Sequence, residues 1–229
     1  MPELRRDPIV GRWVIIATER GRRPNQYRTP PEEPAAGFCP FCPGHEDKTP
    51  HEVYVLGRPA VPADVPGWRV RVVPNKFPAL MIEGDLDRQA EGIYDRMNGV
   101  GAHEVVIETP HHGKNLGDLT DGEITEVLFA FKARMIDLKN DQRFRYILLF
   151  KNHGSAAGAT LEHTHSQLIA LPVTPRQVAD EIGAGLRAAH DRLAGGAVPL
   201  GTPVSFRGTT RLQAAGLPPR PHHPPAALA

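Results

Sequence analysis

The stretch Glu162-His163-Thr164-His165-Ser166-Gln167, followed at once by the apolar run Leu168-Ile169-Ala170-Leu171, organises the chain. The apolar run reads as a strand. In extended backbone alternate side chains share a face, so His163, His165 and Gln167 fall in one row. Two imidazoles and an amide in a row can hold a metal, attack a phosphorus, or serve as polar surface. Just upstream, Gly158-Ala159-Thr160 ends a glycine- and alanine-rich loop that allows close approach to a ligand, and Thr160 adds a hydroxyl. That setting suits phosphoryl or nucleotidyl transfer. Neutral histidine attacks phosphorus readily near pH 7 and forms a reactive covalent intermediate.

Outward from this stretch, short apolar segments recur at residues 13–17, 51–56, 68–73, 103–108 and 145–150, and each reads as a strand. In Trp68-Arg69-Val70-Arg71-Val72-Val73 the valines alternate with arginine, as in a strand with one face covered. Its end, Pro74-Asn75-Lys76-Phe77-Pro78, is a loop whose prolines fix the backbone around Asn75 and Lys76. Residues 81–99 are charged and glycine-containing and read as a loop. Thr120 with Glu123 is a capping box, and Ile124, Val127, Leu128, Phe131, Met135 and Leu138 follow at helical spacing. A second helix is predicted over 176–193, with Val178, Ile182, Leu186 and Ala189 on one face. Residues 194–229 are rich in Pro, Ala, Gly and Arg and lack periodicity, so they are predicted to stay disordered. The sum is α+β: an antiparallel sheet with helices packed on one side.

The two cysteines, Cys39 and Cys42, form the only CxxC pair in 229 residues. Such a pair reads as half of a metal site or as a redox dithiol. Completing a tetrahedral site needs two histidines, and spacing alone leaves His51, His103, His111, His112, His153, His163 and His165 open. The run Arg20-Gly21-Arg22-Arg23 reads either as solvated charge or as a phosphate contact. A net charge of +1 gives no electrostatic case for a nucleic acid or membrane partner, which leaves a small molecule. No apolar run reaches the roughly 20 residues that span a bilayer, and the start has no signal-peptide core. The reading is a cytoplasmic protein.

Taken together, His-x-His-x-Gln after a glycine-rich loop, the CxxC pair, Pro74-Asn75-Lys76-Phe77-Pro78-Ala79-Leu80, Thr109-Pro110-His111-His112-Gly113-Lys114-Asn115-Leu116, Arg6-Asp7-Pro8, Gly11-Arg12-Trp13-Val14 and the segment 20–24 resemble the galactose-1-phosphate uridylyltransferase family of the histidine-triad superfamily. The resemblance covers nearly all of residues 4–175. It implies an N-terminal domain over 1–175 with a histidine-triad-like antiparallel sheet, a half-barrel with helices packed on it. By position His165 resembles the nucleophile and Gln167 the residue whose amide contacts the phosphoryl group. Cys39, Cys42, His112 and His163 resemble ligands of a structural Zn²⁺. Asn75 and Lys76 match nucleoside contacts, and Asn152, Gly158, Ala159 and Thr160 match phosphate contacts. Arg20 and Arg23 belong to a nucleotide-binding segment that reaches across a homodimer.

The implied reaction is a double displacement in galactose metabolism, in which UDP-glucose leaves its uridylyl group on histidine and galactose 1-phosphate carries it away. Two departures bear on this. Many uridylyltransferases have proline between the two histidines, whereas Thr164 stands here. The His-Thr-His-Ser-Gln form also resembles plant-type ADP-glucose phosphorylases, which use ADP-glucose and phosphate. The family's second half is absent, which predicts a truncated or frame-shifted end. It also raises a third reading, an inactive zinc-binding half-domain.

Overall fold

The computed structural model describes residues 1–18 and 38–193. The arginine segment 20–24 and the segment 194–229 lie outside the described residues. By contacts the chain divides into Met1–Gly183 and Ala184–Ala229. The second unit is described only in the last part of a helix that begins at Arg176 and runs to Leu193, α2.

The first unit contains two antiparallel sheets. The larger has five strands in the order β3-β4-β7-β9-β8: Tyr54–Leu56, Val70–Pro74, Ala102–Ile107, His165–Leu171 and Tyr146–Phe150. Its registers place Val72 opposite Val106, and Val106 opposite Ser166. One face of this sheet therefore carries Val70, Val72, Ala102, Glu104, Val106, Ser166, Leu168 and Ala170. The other carries Arg71, Val73, His103, Val105, Ile107, His165 and Gln167.

Helix α1, Asp121–Lys139, starts at the capping box expected from Thr120 and Glu123: the Thr120 hydroxyl accepts from the Glu123 N–H, and the Glu123 carboxylate accepts from the Thr120 N–H. These bonds and Lys114 hold the Glu123 carboxyl well below its usual range, at about 2. Val127 and Ala130 join Val70, Val72 and Val106 in one cluster, and Leu138 joins Ala102, Phe144, Leu168 and Ala170 in another. The buried stripe of α1 is Val127, Ala130, Arg134 and Leu138, so Leu128 is not part of it and stands 57% exposed. Spacing could not separate Leu128 from its neighbours, because it borders the true stripe.

Arg134 enters that stripe because Glu104 lies beneath it on β7. The guanidinium Nε and Nη2 donate to the two carboxylate oxygens at 2.8 and 2.7 Å, and both side chains are buried. Arg134→Met is expected to lower stability by about 3–5 kcal/mol in denaturant unfolding, because it leaves Glu104 charged and unpaired in the interior. Adding Glu104→Leu should recover most of that loss. A single variant that unfolds like the wild type would refute the coupling.

The alternation read across residues 68–73 also needs correction. Arg71 is buried, not solvated, with Glu52 and Asp64 as ion-pair partners. Burial alone would push Asp64 up, yet bonds from His51, the Glu52 N–H and Arg71 outweigh it and hold Asp64 below its usual value.

The second sheet has four strands in the order β2-β1-β6-β5: Trp13–Ile16, Glu3–Arg6, Tyr94–Asn98 and Gln89–Glu91. Here the loop expected over 81–99 is overturned. Gln89–Glu91 and Tyr94–Asn98 form a hairpin turning at Gly92, with φ +61°. All of Gln89–Glu91 is exposed, so hydrophobic periodicity gave no signal. The strands exist because β6 pairs with β1, itself nearly all polar. Leu4 and Met97 anchor this sheet on Leu80 and Leu171. Gly101, just before β7, permits that packing. A Cβ there would meet the Ala170 carbonyl oxygen at 2.5 Å.

Candidate functional site

The site lies at the end of β7 and the start of β9. The turn carrying Cys39 and Cys42 covers the sheet face away from α1, where Cys39, Phe41 and Trp68 pack with Val73, Val105 and Ile107. The Trp68 indole N–H donates to Glu46 at 2.8 Å, and Glu46 accepts from the Gly44 N–H, so the turn is tied to the strand side. Phe41 then presents its ring edge-on to His165, with centroids 5.3 Å apart.

Cys39, Cys42, His112 and His163 form one group whose donor atoms all lie within 4.8 Å of one another. Cys39 Sγ is 3.7 Å from His163 Nδ1, and Cys42 Sγ is 3.5 Å from His112 Nδ1 and 3.6 Å from His163 Nδ1. A tetrahedral ion with bonds of about 2.3 Å to sulfur and 2.0–2.1 Å to nitrogen separates S from N by about 3.5 Å. The four residues therefore fit a metal ion. His163 is prepared for it: its Nε2–H donates to the Thr109 carbonyl at 2.8 Å, which leaves Nδ1 with its lone pair toward the sulfurs. Burial pushes His163 below its usual value, keeping it neutral. Burial and then the neighbouring Cys39 push the Cys42 thiol up to about 11, so two thiolates here need a cation beside them.

His165 begins β9, and its Nδ1–H donates to the His163 carbonyl at 2.8 Å. A carbonyl can only accept, so the proton is on Nδ1 and Nε2 carries the lone pair. The shared face of the histidines holds for His165 and Gln167 but not for His163, which precedes the strand and is turned into the Cys39 and Cys42 group. The two imidazoles thus stand in different surroundings two residues apart.

Gln167 lies opposite Val105, and its Oε1 accepts from His103 Nε2 at 2.9 Å and from Asn75 Nδ2 at 3.4 Å. His103 Nδ1 accepts from the Ala79 N–H at 3.0 Å, which fixes Nε2 as the protonated nitrogen. The acceptor end of the Gln167 amide is therefore engaged from β7, and its donor end is the one left to meet an anion. Asn75 is itself set by a bond from the Phe77 N–H to its Oδ1 at 2.9 Å.

The structure therefore joins Asn75 to Gln167, and joins His112 and His163 to the cysteines. Lys76 is exposed one residue further along. Asn152, Gly158, Ala159 and Thr160 lie in the loop that carries β8 into β9, where Gly154 and Gly158 take φ of +77° and +78°. Arg20 and Arg23 are outside the described residues. Sequence reasoning missed His103 as the partner that orients Gln167. Its position on the same face as Val105 was legible, but which strand lies beside it was not. An open groove of about 730 Å³ lies on the small sheet, among Arg5, Val14, Tyr94 and Arg96, and includes none of these site residues.

A four-residue Cys/His group that fits a metal ion thus stands beside a buried histidine with a defined lone pair. The family described as galactose-1-phosphate uridyl transferase, N-terminal domain, matches residues 1–175, and the chain belongs to that family. It is 37% identical over 186 residues to the ADP-glucose phosphorylase of Arabidopsis thaliana, covering 79% of this chain and 52% of that protein. It is 27% identical over 185 residues to the galactose-1-phosphate uridylyltransferase of Thermotoga maritima, covering 80% and 51%. Among solved structures, one described as a uridylyltransferase superposes with a TM-score of 0.61 at 29% identity over 82% of this chain and 52% of its own. The Arabidopsis thaliana ADP-glucose phosphorylase with bound ADP-glucose gives 0.58 at 35% identity over 85% and 56%. The chain spans about half the length of the curated relatives it matches. Among the described residues no helix is long and apolar enough to cross a membrane.

Proposed function

We propose that this protein is a nucleotidyltransferase working through a covalent nucleotidyl-His165 intermediate, with a hexose-1-phosphate uridylyltransferase as the family reading. The carrying observation is His165: buried, with Nδ1–H bonded to the His163 carbonyl, so that the lone pair is on Nε2. Nε2 attacks the α-phosphorus of UDP-glucose. A P–N bond forms, the P–O bond to the leaving group breaks, and that electron pair departs with glucose 1-phosphate. In the second half, an oxygen of galactose 1-phosphate attacks the same phosphorus, the P–N bond breaks, and His165 recovers its lone pair. Gln167 donates its amide to the phosphoryl oxygens, where negative charge concentrates in the transition state. Asn75 and Lys76 hold the nucleoside; Asn152, Gly158, Ala159 and Thr160 line the phosphates. Arg20 and Arg23 would complete the nucleotide site across a homodimer.

The metal is proposed to be Zn²⁺, on the softness of two thiolates with two imidazoles. Four protein ligands leave no open position, so its role is structural: it fastens the turn bearing Phe41 to the backbone just before His165. Reduced thiols as ligands suit a reducing, cytoplasmic compartment.

A second reading is adenylyl transfer from ADP-glucose to phosphate. It is supported by the 37% identity to an ADP-glucose phosphorylase, against 27% for a uridylyltransferase. Incubation with ³²P-labelled UDP-glucose or ADP-glucose, followed by denaturation, decides between them. One of the two should leave an acid-labile nucleotide on the chain, and its base names the reaction. No adduct from either would support an inactive metal-binding half-domain and overturn the enzyme reading.

A further inference from the structure

Behind the nucleophile, on the α1 side of the sheet, lies a buried polar group that neither the metal site nor the proposed chemistry uses. Glu108, 1% exposed, follows the last residue of β7. Its Oε1 accepts from the Ser166 hydroxyl at 2.5 Å, and its Oε2 accepts from the Thr164 hydroxyl at 2.6 Å and from Lys151 Nζ at 2.7 Å. Lys151, which leaves β8, also donates to Thr164 Oγ1 at 2.8 Å and to the His165 carbonyl at 3.0 Å. The pair therefore grips residues 164, 165 and 166 at once: the two flanking side chains and the nucleophile's own carbonyl. The neighbouring Thr109 carbonyl orients His163, so consecutive residues of one strand end set the metal ligand and the nucleophile separately.

We propose that Glu108 and Lys151 form an internal clamp on the main chain of His165 and are positioning residues for transfer to it. A half-buried lysine paired with a buried carboxylate only to hold the fold together could sit anywhere at the core's edge, at the desolvation cost such pairs carry. Here every bond but the ion pair itself ends on the nucleophile or its immediate neighbours. The two intervening positions of His-x-His-x-Gln, whose side chains both meet Glu108, are then hydroxyl residues because each must donate to it. The clamp holds the ψ of Thr164 and the φ of His165. Those angles decide whether Nδ1–H reaches the His163 carbonyl, and so whether Nε2 is the nitrogen that carries the lone pair.

The proposal rests on nucleotidyl transfer by His165 for its kinetic consequence, but its first readout does not. In ¹⁵N-labelled full-length wild-type protein, long-range imidazole spectra should give His165 as the Nδ1–H form. In Lys151→Met and in Glu108→Gln a mixture of the two tautomers is expected. Thr164→Val and Ser166→Ala remove one donor each and serve if the charge variants fail to fold. The second readout is the single-turnover rate of adduct formation with the sugar nucleotide that labels the wild type. It should fall ~10²-fold in Lys151→Met, as for a nucleophile displaced by about 1 Å. Apparent nucleotide affinity should stay within about threefold, and Lys151→Arg should restore part of the rate. A wild-type tautomer with a rate within about threefold in folded variants would overturn the clamp, as would a rate that falls only in step with lost metal. A wild type that forms no adduct while the variants still show mixed tautomers would sink the transfer reading and leave the clamp standing.

Discussion

His165→Ala is expected to abolish adduct formation from either sugar nucleotide, a loss of at least about 10⁴-fold in single-turnover rate, because it removes the imidazole proposed to accept the nucleotidyl unit. Among the described histidines at the site, His112 and His163 turn Nδ1 toward the sulfurs and His103 accepts from the Ala79 N–H at Nδ1, so these three are engaged elsewhere. The variant should melt near the wild-type temperature and match the wild type in zinc content, since His165 lies outside the Cys39, Cys42, His112 and His163 group. Gln167→Ala tests the accompanying electrostatics. Loss of one donor to developing phosphoryl charge is expected to cost about 10²–10³-fold in rate with little change in nucleotide affinity. Labelled adduct persisting in His165→Ala would place the nucleophile elsewhere and undo the mechanism.

The second large effect concerns the metal. Cys39→Ser is expected to remove bound zinc and to destabilise the first unit by on the order of 5 kcal/mol, because metal binding energy in such a site is folding energy. At about 2–4 °C per kcal/mol for a domain of this size, the melting temperature should fall by roughly 10–20 °C. Cys39 lies in the cluster with Phe41, Val73, Val105 and Ile107, so losing the ion also loosens the cover over that sheet face. Chelation of the wild type should reproduce the shift, and added Zn²⁺ should reverse it in the wild type but not in the variant. Inductively coupled plasma analysis checks the premise directly: about one zinc per folded chain is expected, and none would refute the four-ligand site.

Much of the site was legible in the order of residues, for identifiable reasons. Soft ligands at CxxC spacing on a tight turn restrict what they can be, and the Thr120 and Glu123 box announces a helix start because its bonds are local. What failed was whatever depended on a neighbour far along the chain. Arg71 looked like an outward residue in an alternating strand, yet Glu52 and Asp64 receive it in the interior. Arg134 fell outside the apolar stripe of α1, yet Glu104 makes its burial tolerable. Residues 89–98 showed no hydrophobic period because their strands rest on pairing with β1.

The sequence by itself determined that this chain carries a CxxC turn, a histidine pair beside a glycine-rich loop, and the family to which those motifs belong. It did so because local chemistry and spacing are properties of neighbouring residues. The family resemblance implied how the two histidines divide, and only the tertiary structure supplied the partners that set them apart. His163 is drawn to Cys39, Cys42 and His112 by the Thr109 carbonyl at its far nitrogen, while His165 is aimed by the His163 carbonyl and by Glu108 and Lys151 behind it. Thr109 and Glu108 follow the end of β7, more than 50 residues away, and Lys151 follows the end of β8. Their identity depends on strand order and register, which only packing of the whole sheet sets.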